Sequence, residues 1–457
     1  MKKILLYIIL LVCSTSSFAF NPPDSTSNIF EKGTAQYLIT EGRRLYSEGQ
    51  YRIALVKFRE ALIKDKGNAT ATYWVGESHL ALGNYEKAIE YAEKAIKKDS
   101  LVSSESGYLL GVSYHRLGEL DKAVLHYNQV KAKVRESRAK ELNLNKRIEE
   151  CGRAKEMIKS PVKVKITPMS SSINSAFDDY SPVMAPDGKH FYFVSRRADN
   201  KGGGVNPADQ RFFEDIYVCT WNEETGAWDE ASNTSDIVRR INSKGFDAVN
   251  HISADGKELY ITINTTAIEK PRIKTRSSDL FVSKMNIRGD WNTPKPLGKM
   301  INTIVFDAAA SVTSDGNTIY FISERKGGQG RADIWTSVKA GREWGKPVNL
   351  GPTINTTGQE TTVYVTPDEK YLFFSSDGHE GMGGYDVYVC KRENGEWSDP
   401  VNMGYPINTV SDETHFTYHV DNQKAYYTTF SSSGNGGMGA RDIFEVDMSE
   451  YTFNFPE

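Results

Sequence analysis

The chain has 457 residues, more than one hydrophobic core organises, and 56 Lys and Arg against 59 Asp and Glu give it a formal net charge of -3 at pH 7. That balance excludes a general nucleic-acid role, which needs a basic surface. Beyond the first residues no stretch approaches the ~20 apolar residues of a membrane span, so the mature chain is expected to have no transmembrane segment.

Residues 1–19 start basic at Lys2 and Lys3, run apolar from Ile4 to Val12, and end in Ser17-Phe18-Ala19, a small-x-small cleavage site. This is the pattern of a secretory signal peptide, and it predicts export with cleavage before Phe20. The alternative is a lipoprotein anchored through Cys13, although Val12 before it is bulkier than that processing usually tolerates. Residues 20–32 are polar and carry prolines, and read as a linker. Cys151, Cys219 and Cys390 remain after cleavage. The latter two hold equivalent positions in non-adjacent units of the repeat described below, beyond the ~7 Å reach of a disulfide, so free buried thiols are expected.

Residues 33–158 carry a helical repeat. Gly42/Gly76/Gly111, Gly49/Gly83/Gly118 and Ala54/Ala88/Ala123 recur at 34 and then 35 residues, the period of tetratricopeptide repeats. Small residues suit close helix pairing, while Leu45, Leu80, Leu117, Tyr46, Tyr85 and Tyr127 supply apolar faces. One further helix over Ser137–Ile158 is expected to cap three repeats, since end units need a polar outer face. The segment resembles a three-repeat tetratricopeptide domain, without the usual proline closing each repeat.

Residues 159–457 contain a second repeat, Ile-Asn-x-x-x-x-Asp/Glu, five times: Ile173-Asn174 to Asp179, Ile241-Asn242 to Asp247, Ile301-Asn302 to Asp307, Ile354-Asn355 to Glu360, and Ile407-Asn408 to Glu413. Eight residues after each acid comes an Asp in turn context (187, 255, 315, 368, 421). Between these marks alternate β-branched or aromatic runs and turns, four strands a to d per unit, which is the make-up of a propeller blade. Asp215, Asp279, Asp333, Asp386 and Asp442 open strand c, and Trp228, Trp291, Trp344 and Trp397 precede strand d. The fifth unit lacks a strand d. Val162–Ser172 is expected to supply it, pairing near Asp442–Val446 and closing the ring without an open edge. The fold class is therefore α + β multidomain: an α-solenoid of tetratricopeptide repeats followed by a five-bladed β-propeller closed by an N-terminal strand.

Met184-Ala185-Pro186-Asp187-Gly188-Lys189 and Val365-Thr366-Pro367-Asp368 resemble the turns of TolB-type, WD-like propellers. Leader, tetratricopeptide repeats and such a propeller together look like the front half of the PorE family, periplasmic proteins of Bacteroidetes associated with type IX secretion. In that family a carboxypeptidase-regulatory-like domain and a peptidoglycan-binding OmpA-like domain follow. A chain ending at Glu457 is expected to lack both, so peptidoglycan binding is not indicated. The resemblance implies a periplasmic, non-enzymatic scaffold, peripheral to the outer membrane, whose partners are proteins of the envelope or its secretion machinery.

No nucleophile elbow, phosphate loop, dinucleotide fingerprint or His-Glu-x-x-His occurs, and no cofactor is expected. His415 and His419 on one strand would stand ~13 Å apart, too far for one ion. The five acids Asp179, Asp247, Asp307, Glu360 and Glu413 read first as a shared structural device accepting loop N–H groups. As a ring at the channel mouth they would instead hold a cation or meet a basic partner, and they keep a carbohydrate-active propeller enzyme or glycan-binding module as the alternative function. Glycine-rich b–c loops (Gly327–Gly330, Gly381–Gly384, Gly434–Gly439) read as tight reversals. Candidate partner residues are Arg196, Arg197, Lys201 and Arg211 in the long b–c insertion of blade one, and Arg43, Tyr46, Tyr73, Glu77, Tyr108 and His115 along the helical groove. Strand direction puts signatures, acids and insertion on one face. It predicts that the helical domain joins at the other and leaves the insertion face free.

Overall fold

The computed structural model describes residues 24–99, 102–207, 209–264, 278–430 and 436–455. The leader and Cys13 lie outside the described residues. Three helix pairs come first: α1 (Asp24–Ser47) with α2 (Tyr51–Lys64), α3 (Ala69–Ala81) with α4 (Tyr85–Lys98), and α5 (Ser103–Arg116) with α6 (Leu120–Lys131). The glycines explain the pairing. A Cβ at Gly42 or Gly111 would stand 2.6 Å from the Phe58 or Tyr127 ring, and one at Gly76 would stand 2.8 Å from Leu109. Gly49, Gly83 and Gly118 take left-handed φ of 77°, 75° and 76° just past the first helix of each pair, ending it as only glycine does at no steric cost.

Two expectations need correction here. The stretch 20–32 is not all linker, because α1 already begins at Asp24. The cap is two helices, α7 (Glu136–Glu141) and α8 (Leu144–Lys159), broken at Asn143, whose left-handed φ of 52° stops a continuous helix.

The remainder is five antiparallel sheets in a ring. Strand a of the blades spans Asp179–Met184, Phe246–Ile252, Asp307–Val312, Glu360–Val365 and Thr414–His419. Strand c spans Asp215–Asn222, Asp279–Lys284, Asp333–Ala340, Asp386–Glu393 and Arg441–Asp447. Closure occurs as the sequence implies: Lys165–Pro168 pairs with blade five, Lys165 opposite Asp447 and Pro168 opposite Phe444. Trp291 is fully buried between blades one and two, its indole donating to Tyr192 at 3.1 Å. The cysteines 151, 219 and 390 are buried and free.

Strand d is short in every blade, so it leaves the N–H of the first residue after each strand-c Asp without a main-chain partner on its outer side. In blade three, Asn349 and Val348 pair Trp335 and Thr336, and Leu350 N–H reaches the Ile334 carbonyl at 3.2 Å, but the Ile334 N–H is left over. The signature Asn fills that gap in all five places. Asn355 accepts from Ile334 N–H at 2.8 Å and donates to its C=O at 2.9 Å. Asn242 does the same for Ile216, Asn302 for Leu280, and Asn408 for Val387. Asn174 clamps Ile443 at 2.9 Å in both directions, so the closing strand ends with the same device.

The position of the helical domain is a further correction. It sits on the face carrying the signatures and the insertion. Ser160–Val164 does not enter the closing strand from below a free-standing helical stack. Val162 N–H donates to Tyr405 O at 2.7 Å, and Val162 and Val164 pack beside Met403, so the chain runs down the flank of blades four and five first. The residues Tyr451, Phe453 and Phe455 pack under blade four, where Phe453 stacks on Tyr371 at 4.7 Å. The turn face around the a–b turns is left uncovered by helices.

Replacing Asn174 by Ala should leave the buried Ile443 N–H unsatisfied, its C=O keeping the Met169 N–H at 3.0 Å, and destabilise the protein by roughly 1–3 kcal/mol. Urea unfolding measures it, and a loss under ~0.5 kcal/mol would contradict the clamp's role in closure.

Candidate functional site

All five signature acids are fully buried. Each accepts from the residue directly after its Asn, always Ser or Thr, through both backbone and hydroxyl. For Asp179 the bonds from Ser175 N and Oγ are 2.6 Å, and for Asp307 those from Thr303 are 2.7 Å. Asp247, Glu360 and Glu413 repeat this with Ser243, Thr356 and Thr409. In blades three to five a hydroxyl ending strand b closes the other side, Ser323 on Asp307 at 2.6 Å, Ser376 on Glu360 at 2.8 Å and Thr429 on Glu413 at 2.8 Å. Burial lifts Asp247, Glu360 and Glu413 to about 7 and Asp179 to about 6, against these donors. The acids are loop staples rather than a cation-binding rim. Their Ser or Thr partner recurs at one position in the sequence and is the signal that identifies the staple.

The insertion of blade one uses its cations internally, which corrects their assignment as partner contacts. Arg196 pairs with Asp209 at 2.7 Å and donates to Phe212 O. Arg197 lies between the Phe193 and Tyr217 rings and donates to Ile173 O at 2.5 Å. Arg211 pairs with Asp178 at 2.5 Å, and Lys201 Nζ donates to Asn242 O and Arg239 O. A long loop without its own apolar core is held by such bonds, and its charges are consumed.

The glycine-rich loop of blade four does more than reverse the chain, because it receives the helical domain. Met382 is fully buried in the cluster of Tyr127, Cys151 and Ala154. Around it His115 Nε2 meets Met382 O at 2.8 Å, Arg147 donates to Gly383 O at 3.0 Å and Arg153 to Gly381 O at 3.1 Å. Arg116 bonds Val410 O and Asp412, both at 3.0 Å. A Cβ at Gly384 would stand 1.8 Å from Ser411 O, so glycine is required for this approach. His115 is therefore part of the domain junction, and burial lowers it to about 4, leaving it neutral. Tyr108 packs partly into the same cluster.

The other groove residues remain together in the first two repeats. Tyr46 and Tyr73 both donate to Glu77, at 3.2 and 2.5 Å, and Arg43 lies over Trp74 at 5.3 Å. Burial raises Glu77, so this carboxylate holds its two phenols in a half-buried aromatic strip. Trp74 belongs to it and escaped the sequence reading, because its place on the groove depends on how α1 and α3 pack.

On the turn face the ends of all five a strands surround a cavity of about 470 Å³. Ile252, Val312, Tyr364 and Tyr418 form its walls, with His251 and His419 among them, and Asp368 and Asp421 also line it. Burial lowers both imidazoles to about 4, so they are neutral hydrogen-bonding groups, and Nε2 of His419 has no partner among the described residues. His415 instead packs against Tyr180 at 5.7 Å, away from His419. The sequence marked these turns only as turns.

Residues 39–103 and 105–137 match models of the tetratricopeptide repeat. Among solved structures, the second such domain of Spaghetti (RPAP3), bound to an HSP90 peptide, is 21% identical, covers 23% of this chain and 97% of its own, with a TM-score of 0.22. The C-terminal tetratricopeptide-containing domain of a Plasmodium falciparum FK506-binding protein is 20% identical over 29% of this chain and 96% of its own, TM-score 0.26. The Arabidopsis OM64 domain is 18% identical over 25% and 98%, TM-score 0.23. No curated protein matches the chain.

Two outcomes follow from these geometries. A raised acid stabilises the fold while protonated, an effect complete below the unfolded value near ~4 and lost as pH rises through the folded value. For Asp247 that upper limit is about 7. The melting temperature of wild type relative to Asp247→Asn should therefore fall between pH 5 and pH 8, and a constant difference would refute the assignment. Met382→Asp puts a charge into the buried junction and should split thermal unfolding into separate helical and propeller transitions in calorimetry, where one unchanged transition would show that the loop does not couple the domains.

Proposed function

We propose that this protein is a non-enzymatic scaffold of the cell envelope that binds protein partners on two surfaces held in fixed relation. The observation that carries the reading is the docking of Met382 and its neighbouring carbonyls into the helical domain, which makes one body of two folds suited to binding. One surface is the aromatic strip of Tyr46, Tyr73 and Trp74. The other is the cavity of the turn face, on the far side of the propeller from the helices. An extended peptide with an apolar side chain suits the cavity, its backbone meeting His251 or His419.

The setting is the periplasm, with partners in type IX secretion or a related outer-membrane assembly. The leader pattern ahead of Phe20 and the order of repeats and propeller support that setting. A non-enzymatic role is favoured because the acids that suggested catalysis are equivalent, buried and stapled.

Tagged protein expressed with its own leader should be recovered from the periplasmic fraction and should co-purify with outer-membrane proteins from detergent-solubilised envelopes. Ala254→Arg or Ser314→Arg, at exposed positions lining the cavity, should abolish capture of one partner while melting within ~2 °C of wild type, as surface changes do. Cytoplasmic retention, or capture untouched by both variants and by Trp74→Ala, would overturn the reading. Hydrolysis of aryl glycosides that is lost in Asp368→Asn would move the protein to the enzyme class.

A further inference from the structure

Between the two domains lies a second cavity, of about 380 Å³. One wall is the turn edge of the helical stack, with Arg52, Leu80, Leu82 and Val112. The other is propeller, with Asp209 and Arg211 of the insertion, Asp412, Phe430 and Arg441. Arg116 of α5 reaches in from the helical side. Neither domain alone has this site.

Its charges do not balance. Asp412 is taken by Arg116 at 3.0 Å, Asp209 by Arg196 at 2.7 Å, and Arg211 by Asp178 at 2.5 Å. Two cations remain. The guanidinium of Arg441 lies against the rings of Phe430 and Tyr180, at 5.1 and 6.0 Å, and forms no ion pair among the described residues. Asp412 and Glu214 lie near enough to feel the charge of Arg441, but neither bonds it; rings satisfy the face of a guanidinium and not its N–H edge, which stays available to a planar anion. Arg52, on the opposite wall, is exposed and has neither ion pair nor hydrogen bond among the described residues.

We infer that this cleft binds the acidic side chain of a peptide between Arg52 and Arg441, with a neighbouring apolar side chain against Leu80, Leu82 and Val112. The fork of each arginine matches a carboxylate, and the apolar wall distinguishes a peptide from a bare anion. The site is separate from the groove and the cavity of the turn face, so it stands whether or not those bind partners.

The test uses the whole mature chain and fluorescein-labelled, C-terminally amidated hexapeptides in low salt, read by anisotropy. Alternating Leu and Glu should bind, alternating Leu and Gln should bind at least about tenfold more weakly, and salt should weaken the acidic peptide only. Arg52→Gln and Arg441→Gln should each cost about tenfold. Arg52 is exposed and has no ion pair or hydrogen bond among the described residues, so its variant decides the matter even if Arg441→Gln melts early. Equal binding of the two peptides, or full affinity in Arg52→Gln, overturns the inference. Competition by inorganic phosphate at lower concentration than by the acidic peptide would also overturn it, assigning the cleft to a free anion.

Discussion

The interaction on which the rest depends is the pairing of one asparagine amide with both backbone groups of one residue, repeated five times. A primary amide carries a donor and an acceptor side by side, so it imitates one rung of a β-ladder. Each blade needs that rung because its outer strand is too short to cover the top of strand c, and a buried backbone group without a partner costs free energy comparable to a lost hydrogen bond. The clamp crosses from the loop entering one blade to the sheet of the blade before it. Blade order is thereby tied together on the signature face, and the ring closes with the same chemistry at Asn174 as elsewhere.

The same loops explain why the five signature acids serve the fold. Behind each clamp the Ser or Thr turns to the acid, and in blades three to five the hydroxyl that ends strand b holds its other side. The strand-c aspartates Asp215, Asp333, Asp386 and Asp442 are treated alike. Asp333 accepts from the amides of Gln329 and Gly330, and Asp386 from Met382 N. A Cβ at Gly381 would stand 2.0 Å from the Asp386 carboxylate, so glycine there is a requirement of wrapping the anion. Once these carboxylates hold the loops rigid, the loop of blade four can present its carbonyls and Met382 as a fixed knob. The helical domain binds that knob with cations and a neutral histidine.

Rigid docking divides the surface by role. The signature face is covered in part by helices, its insertion is stitched by its own ion pairs, and the turn face keeps a cavity with neutral imidazoles. The aromatic strip of the first repeats lies apart from the junction that involves His115. Groups without an ion pair or hydrogen bond among the described residues remain in the cavity, at His419 Nε2, and in the cleft between the domains, at Arg52 and Arg441.

Repetition made much of this legible from the chain alone. Period and small residues specified the helix pairs, and five signatures specified five blades and the closing segment. Those are local patterns repeated often enough to average out the ambiguity of any single strand. The structural role of Asp179, Asp247, Asp307, Glu360 and Glu413 was also readable, since five equivalent positions imply a backbone task. The break at Asn143 and the early start of α1 at Asp24 were not, because each depends on single-residue conformation or packing without a repeat to reveal it. Tertiary structure alone decided which face the helices cover, since that rests on the course of Ser160–Val164 along Met403 and Tyr405, far away in sequence. It decided the fate of Arg196, Arg197 and Arg211 for the same reason: a charge looks free in a sequence until folding brings its carboxylate or carbonyl beside it.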